Sequence, residues 1–425
     1  MAETSHASWD GLVIGGGPAG LMAAAAAAQA GARVLLVEKG DRLGRKLMLS
    51  GGGRCNVTNR ASVEQMLDNI PGNGRFMQGA LHRFGGAEII RFFEELGVRL
   101  KEEDHGRMFP FNDSARTVTE ALVRRLQSLG VTFRLNTPIV GLTVEGDKVT
   151  GARTVAGEDL PARTVVVTTG GASVPATGST GDAYPWARAL GHTVVPPYPT
   201  SVPLQTSDSF IRERRLQGLS LREVRVTLRD PAGKVLSVQE RDLLFTHFGL
   251  SGPAALRLSH YVVAAQNRFG ETPLRLEIEL LPGWSGERAA AVFKGEPRRL
   301  VGRLLRPLLP DRLVPVVLEI ARIDPRTTAA NLSRQSLTRL VQTILAFPVT
   351  VTGTLPVAKA TVTGGGVSVS EIDPRTMASK KVKGLYFAGE VLDVHAHTGG
   401  YNITVAFSSG HAAGTAAARA AKEPV

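Results

Sequence analysis

The 425-residue chain has a single cysteine, Cys55, and that scarcity removes whole classes of chemistry. One thiol forms no intramolecular disulfide and builds no cysteine-based metal site. No H-E-x-x-H and no paired histidine spacing occurs on a helical stretch, so no metal is expected. No run reaches the roughly 18 consecutive apolar residues of a membrane span. No basic segment leads into an apolar one at the N-terminus, so a cytoplasmic protein without a cleaved signal is expected. There is no internal repeat. What the chain has in plenty is glycine, with 47 residues, and positive charge, with a formal net of +12. Its length allows two or three domains with sizeable cores. The arginines are spread over predicted helices (Arg91, Arg124, Arg125, Arg303, Arg306) rather than gathered in a tract. That spread suggests compositional bias plus an anionic cofactor, with nucleic acid not the expected partner.

The most informative stretch is 12–38. An apolar run meets Gly15-x-Gly17-x-x-Gly20, which opens an alanine-rich helix through Pro18 and Ala19. Gly31 ends the helix, a second apolar strand follows, and Glu38 closes it. In a βαβ unit the first glycine permits a tight turn, the second admits a pyrophosphate, and the third lets helix and strand pack closely. The helix N-terminus supplies free N–H groups and partial positive charge. Glu38 can accept from a ribose hydroxyl pair, which argues for FAD or NAD rather than NADP.

The loop after Glu38 carries Lys39, Lys46, Ser50, Gly51, Gly52, Gly53, Arg54, Cys55 and Asn56. Successive glycine N–H groups can cradle an anion or approach a flat ring, so the loop is assigned to the cofactor. Cys55 could be a redox thiol activated by Arg54; a small buried residue is the favoured alternative.

Two helices (87–96 and 115–129) and strands at 131–135, 139–144, 148–154 and 164–168 follow, with a hairpin turn at Gly146-Asp147. The start of the second strand, Ile139 and Val140, and the glycine turn Gly170-Gly171 are further cofactor candidates. A proline-rich crossing at 196–199 marks a boundary. We expect a first FAD-binding part at 1–195, an inserted β-rich subdomain at 196–283, a helical subdomain at 284–350 and a second FAD-binding part at 351–425. In that last part a strand runs into Gly389-Glu390 with Asp393 beyond, carboxylates suited to a ribityl chain. Gly399, Gly400, Tyr401, Asn402 and Ile403 then bring N–H groups and a helix N-terminus toward a ring. NAD alone needs no second binding strand so far downstream, so FAD is the expected cofactor.

The segments GLVIGGGPAGL, GRKLMLSGGGRCNVTN, TGGASVPATGSTGDAYPWARALGHT, FTHFGLSGPA and GLYFAGEVLDVHAHTGGYN together resemble the BaiN/RdsA-like family of bacterial FAD-dependent oxidoreductases. The resemblance implies an α/β fold, a Rossmann-like FAD domain of the glutathione-reductase type split by a barrel-like and a helical insertion. It also implies kinship to fumarate-reductase and ketosteroid-dehydrogenase flavoproteins. Glu38 then matches the adenosine-ribose carboxylate, Ser50 to Asn56 the loop by pyrophosphate and flavin, Glu390 and Asp393 the ribityl contacts, and Gly399 to Asn402 the turn at the pyrimidine edge. This chain departs from the pattern at His395 and His397, where Asp and Gly are common, and at Thr404, where a polar amide is common.

The expected activity is a two-step redox reaction through FAD that ends in reduction of an activated C=C bond of an apolar small molecule. No second Gly-x-Gly-x-x-Gly follows a strand in the middle region, so NAD(P)H is expected as a transient donor at the flavin. Arg54 is the candidate electrostatic donor to a substrate carbonyl, and Tyr401, His247, His395 and His397 are candidate acids. A flavoprotein that binds or modifies RNA, with the net charge as motive, and a non-catalytic flavin-binding protein are the alternatives.

Overall fold

The computed structural model describes residues 9–423. Two compact units emerge among the described residues: one of residues 9–198 and 357–423, the other of residues 199–356.

In the first unit β1 (Trp9–Ile14), α1 (Pro18–Gln29) and β2 (Val34–Val37) form the opening βαβ. β3 (Thr132–Arg134) extends the sheet beside β2. A meander follows: β4 (Ile139–Glu145), β5 (Lys148–Thr154) and β6 (Asp159–Val167). β6 has two functions. Its first half pairs antiparallel with β5, and the half from Ala162 onward lies parallel to β1. β7 (Leu385–Phe387) then joins β6 in parallel, placing Phe387 level with Val167. The parallel order β3-β2-β1-β6-β7 therefore brings residues over two hundred positions apart to the same carboxyl edge. β2 (Val-Leu-Leu-Val) and β7 (Leu-Tyr-Phe) are buried throughout, as strands covered on both faces are.

α2 (Tyr401–Ala420) packs against α1 at backbone distance. A Cβ on Gly410 would stand 2.3 Å from the Ala19 carbonyl oxygen, and one on Gly414 only 2.0 Å from that of Ala23. Glycines four apart on one helix and alanines four apart on the other form the contact line, since such positions share a helix face. From Ala19 to Ala27 every residue of α1 is buried, so alanine is the side chain that fits all round. The two helices that point their N-termini at the sheet's carboxyl edge are thereby locked together.

The second unit holds a closed antiparallel barrel of six strands: Leu204–Thr206, Gly249–Ser251, Val235–Phe245, Ser220–Arg229, Leu274–Glu279 and Phe347–Thr354. Closure removes the exposed edges. An 18-residue helix, Gly252–Phe269, stands in a stretch whose sequence reads as strands. Ala254, Leu258, Val262 and Ala265, all buried, are its overlooked helical signal. Helices Gly286–Ala291, Val301–Leu305, Leu313–Ile320 and Arg334–Leu345 form a cap whose apolar residues belong to the same core as the barrel's. No helix among the described residues is long and apolar enough to cross a membrane.

Candidate functional site

At the end of β1 the chain turns with so little room that a Cβ on Gly20 would meet the Gly15 carbonyl oxygen at 1.8 Å. The Thr168 hydroxyl donates to the carbonyls of Ile14 and Gly15, both at 2.9 Å, and ties the ends of β1 and β6 together. Gly17 caps α1, and Pro18 at its first position has no N–H to leave unpaired. The first intrahelical bond runs from Leu21 N–H to Gly17, so the N–H groups of Ala19 and Gly20 have no acceptor in the helix. Nothing lies within 4 Å of the Cβ position on Gly17, so the mouth of the helix is open. Glu38 stands beside it, its two oxygens accepting from Gly16 N–H (2.7 Å) and Gly40 N–H (2.8 Å). The chain just before β4 runs along this edge: Thr137 N–H donates to the Glu38 carbonyl and Asn136 N–H to that of Gly40. Ile139 and Val140 follow, half-buried and exposed. Lys39 reaches the other way, to Thr180 (2.6 Å) and Asp182 (2.5 Å).

Further along the groove Lys46 meets Glu390 at 2.5 Å and the Ser173 hydroxyl at 2.9 Å. Glu390 also accepts from Ser173 (2.7 Å) and from Thr363 N–H (2.8 Å). Burial alone would raise its pKa, but the Lys46 ammonium and these bonds hold it below the usual carboxylate range. The glycine turn after β6 is part of the same contact. A Cβ on Gly171 would stand 2.4 Å from the Thr363 hydroxyl and 3.0 Å from Glu390. Gly389, which precedes Glu390, is left-handed at φ 77° and donates to the buried Ser409 hydroxyl.

In the loop that follows Ser50, Gly51, Gly52 and Gly53 are all left-handed (φ 58°, 70° and 88°), a run that only glycine adopts without strain. Arg54 is engaged by acidic and aromatic neighbours. Its two terminal nitrogens bond both oxygens of Glu103 at 2.8 Å, one also reaches Asp113 at 3.1 Å, and the guanidinium lies 4.1 Å from the Phe109 ring centre. Cys55 is fully buried and burial pushes its thiol up to about 12, so no reactive thiolate is present at neutral pH.

Three asparagines hold the turn before α2. Asn59 donates to the Gly399 carbonyl (3.0 Å), and Asn56, oriented by its neighbours, accepts from Gly400 N–H (2.9 Å). Asn402 spends its amide on the preceding loop, accepting from Ala396 N–H and donating to the Ala396 carbonyl, both at 2.8 Å. Gly400 is left-handed and pressed against β-strand backbone, its Cβ position 2.5 Å from the Thr58 oxygen. The helix makes its first bond from Thr404 N–H to Gly400. The N–H groups of Tyr401, Asn402 and Ile403 therefore have no acceptor within it. Thr404 itself bonds the Thr58 hydroxyl at 2.7 Å.

Of the candidate acids, His395, His397 and Tyr401 belong to the first unit and His247 to the second. His395 and His397 are buried, His395 with its ring edge-on to Tyr198 at 5.7 Å and hard against Gly72. The Tyr401 ring folds over Gly399, whose Cβ position is 2.9 Å from it. Asp393 is bonded by Asn73 (3.0 Å), and burial raises its pKa. His247 is exposed in the second unit, in the turn after Val235–Phe245.

These residues fit a flavin dinucleotide. Two helix N-termini, an open glycine turn and a carboxylate near each end make a cradle for a long molecule with an anionic centre. Two polar atoms carry independent weight: the Tyr184 hydroxyl and the Thr169 hydroxyl are buried with no hydrogen-bond partner among the described residues. Tyr184 is on helix Ala183–Ala189, and burial followed by nearby Glu390 and Asp393 raises its pKa, so the phenol stays protonated. Ser173, Thr363, Asn59, Asn73 and Tyr184 escaped the sequence-based assignment. Asn59, Ser173 and Tyr184 lie within the segments GRKLMLSGGGRCNVTN and TGGASVPATGSTGDAYPWARALGHT, where none of them was singled out.

A split Rossmann sheet with two helix N-termini and terminal carboxylates at one edge defines a flavin-binding protein of the glutathione-reductase type. The family model described as "HI0933-like protein Rossmann domain" matches residues 9–416. The chain belongs to this HI0933-like family of FAD-dependent oxidoreductases, as the BaiN/RdsA-like motifs imply. It is 34% identical over 402 residues to a ribosomal RNA dihydrouridine synthase of Escherichia coli (strain K12), covering 94% of this chain and 96% of that one. A 3-dehydro-bile acid delta(4,6)-reductase of Clostridium scindens is 29% identical over 415 residues, covering 96% and 98%. Among solved structures, a 3-ketosteroid delta1-dehydrogenase from Sterolibacterium denitrificans shares the fold, with a TM-score of 0.54 at 16% identity and coverage of 97% and 99%.

Proposed function

We propose that the protein reduces a C=C bond conjugated to a carbonyl, and that its substrate is a uracil ring in ribosomal RNA. The observation that carries this is the 34% identity to a ribosomal RNA dihydrouridine synthase over nearly the whole of both chains. The expectation that nucleic acid is no partner is weakened by the same relative. A uracil ring and a 3-dehydro-bile acid look unrelated, yet each places a double bond next to a carbonyl. Hydride addition at the far carbon leaves negative charge on the carbonyl oxygen and a carbon to be protonated.

Bound FAD supplies the hydride, with NAD(P)H as the proposed donor to it. Glu38 receives the adenosine ribose, and the N–H groups of Ala19 and Gly20 the pyrophosphate. Glu390, held ionised by Lys46, and Asp393 receive ribityl hydroxyls. The first turn of α2 favours negative charge by about 0.3–1 kcal/mol, more where it is dry. His395, buried beside the Tyr198 ring, is the proposed proton donor. Tyr401 and His397 shape the turn. Arg54 acts as a clamp that fixes the glycine loop to Glu103 and Asp113, rather than as the electrostatic donor to a substrate.

A steroid enone is the second reading, favoured by the 29% identity to the bile acid reductase. The FAD-loaded protein is to be given NADH or NADPH with an unmodified ribosomal RNA transcript, and separately with a steroid enone. A gain of two hydrogens in a uridine-containing fragment, read by mass spectrometry, is the expected result. Consumption of the enone alone moves the assignment to the second reading, and failure on both substrates sinks the reductase proposal.

A further inference from the structure

The net charge is concentrated. Residues 284–346 hold eleven arginines and lysines against five aspartates and glutamates, which is half of the chain's net +12 in a short segment. The fold gathers this segment into the four-helix cap. Val301 N–H donates to the Thr327 carbonyl (3.0 Å) and Ala329 N–H to that of Arg299 (2.9 Å), laying the chain at 297–301 beside 327–330. Arg312 donates to the carbonyls of Arg215 (2.6 Å) and Gln217 (2.9 Å), which joins to the cap a strip that carries exposed Arg212 and Arg214.

Few of these cations are neutralised. Arg299, Arg306 and Arg326 have carboxylate neighbours (Glu296, Asp311 and Asp324), and Glu319 is taken by Arg215. Lys294, Arg298, Arg303, Arg322 and Arg334 are exposed and meet no carboxylate among the described residues. Elsewhere cations of the chain do find partners: Arg134 with Glu158, Arg153 with Asp159, Lys383 with Asp147. A surface whose only role is solubility mixes both signs. Unneutralised guanidiniums on a rigid cap fit a polyanion, because planar N–H donors match phosphate oxygens in pairs.

We propose that the four-helix cap is an RNA-docking surface that grips the phosphate backbone, without reading bases. This rests on the RNA reading of the function, and RNA is preferred to an anionic membrane because no large apolar side chain of the cap is exposed. Phosphate contacts position a nucleic acid and release counterions, so their mark is a steep salt dependence.

The test uses the full-length, FAD-loaded protein and an unmodified ribosomal RNA transcript. In the triple variant Arg298→Glu, Arg303→Glu, Arg322→Glu, affinity at moderate salt is expected to fall about 10- to 100-fold, with a log–log salt slope shallower by about 2. The control Arg91→Glu, Arg116→Glu, Arg124→Glu makes the same charge change on helices of the flavin unit and is expected to bind nearly as the parent does. FAD content and reduction of the flavin by NAD(P)H report whether each variant is folded. Parental affinity in the cap variant, an equal loss in the control, or binding to anionic vesicles with none to RNA overturns the proposal. RNA bound through the cap but never reduced would overturn the reductase reading and leave the docking surface standing.

Discussion

The two units of the molecule solve the burial problem in opposite ways. The inserted unit fills a closed barrel and its cap with large aliphatic and aromatic side chains such as Leu276, Phe245, Phe347 and Val317. The flavin unit builds its central contact from almost no side chain at all, with Gly410 and Gly414 against Ala19 and Ala23. Most of the net positive charge belongs to the inserted unit, twenty-two cations against fourteen anions from Pro199 to Pro356. Among the described residues, buried hydroxyls without a protein partner number two in the flavin unit, Tyr184 and Thr169, and one in the inserted unit, Thr206. The difference teaches where to look for each kind of partner. A helix pair packed at backbone distance with unsatisfied polar atoms nearby is a precise cradle for a small molecule. A well-filled apolar core under unpaired cations is a stiff support for a surface.

The sharpest way to break this comparison is to give the small-residue contact a side chain. Gly414→Leu has nowhere to go, with the Ala23 carbonyl 2.0 Å from its Cβ, and is expected to cost more than about 3 kcal/mol in urea unfolding. An aliphatic swap in the barrel, Ile278→Val, is expected to cost only about 1 kcal/mol. Similar losses for the two would remove the distinction.

Next in size is Glu390→Ala, which leaves Lys46 in the groove without its carboxylate. A loss of about 2–3 kcal/mol is expected, with most FAD lost on gel filtration. Full FAD retention would show that Glu390 makes no cofactor contact.

Tyr184→Phe has two signs. Removing a buried hydroxyl that has no partner is expected to leave the apoprotein as stable or about 1 kcal/mol more so, while FAD binding weakens about 5- to 10-fold. An unchanged FAD dissociation constant, by fluorescence titration, would show that the phenol does not face the cofactor.

Acid is expected to separate the units more gently. Burial lowers the pKa of His192 and His411 in the flavin unit and of His260 in the inserted one, from an ordinary 6.5. The unfolded chain then takes up protons first, so this stability is complete above pH 6.5 and is lost as pH falls through the folded values. Glu371 adds a second step. Burial would raise its pKa, but Lys381 and Thr193 hold it at about 2, so its contribution is full above 4.5 and fades between there and 2. Burial raises the pKa of Asp393 in the flavin unit and of Asp208 in the inserted one, and both act in the opposite sense. Hydrogen exchange at pH 5 against pH 8 should show protection lost mainly in the flavin unit, and His192→Gln should shrink that difference.

The smallest effect is expected for Arg54→Ala. As a clamp it lowers FAD affinity a few-fold and leaves the reductive step within about tenfold of the parent. A collapse of the reductive rate with FAD fully bound would restore Arg54 as an electrostatic donor.

Local rules determined much of this from the sequence. The glycine spacing at Gly15, Gly17 and Gly20, the carboxylate at Glu38, the strand 148–154 and the hairpin at Gly146 each follow from steric demands within a few residues. The helix Gly252–Phe269 went unseen because strand-like neighbours masked its period. Only the tertiary structure decided what depends on distant partners. It set Glu390 against Lys46, Asn59 against Gly399, and Arg54 against Glu103, and it left the Tyr184 hydroxyl without a partner among the described residues. Turns and periods are written in neighbouring residues, whereas the use made of a charge or a hydroxyl is set by whichever remote segment the sheet order and the packing of two glycine-lined helices bring beside it.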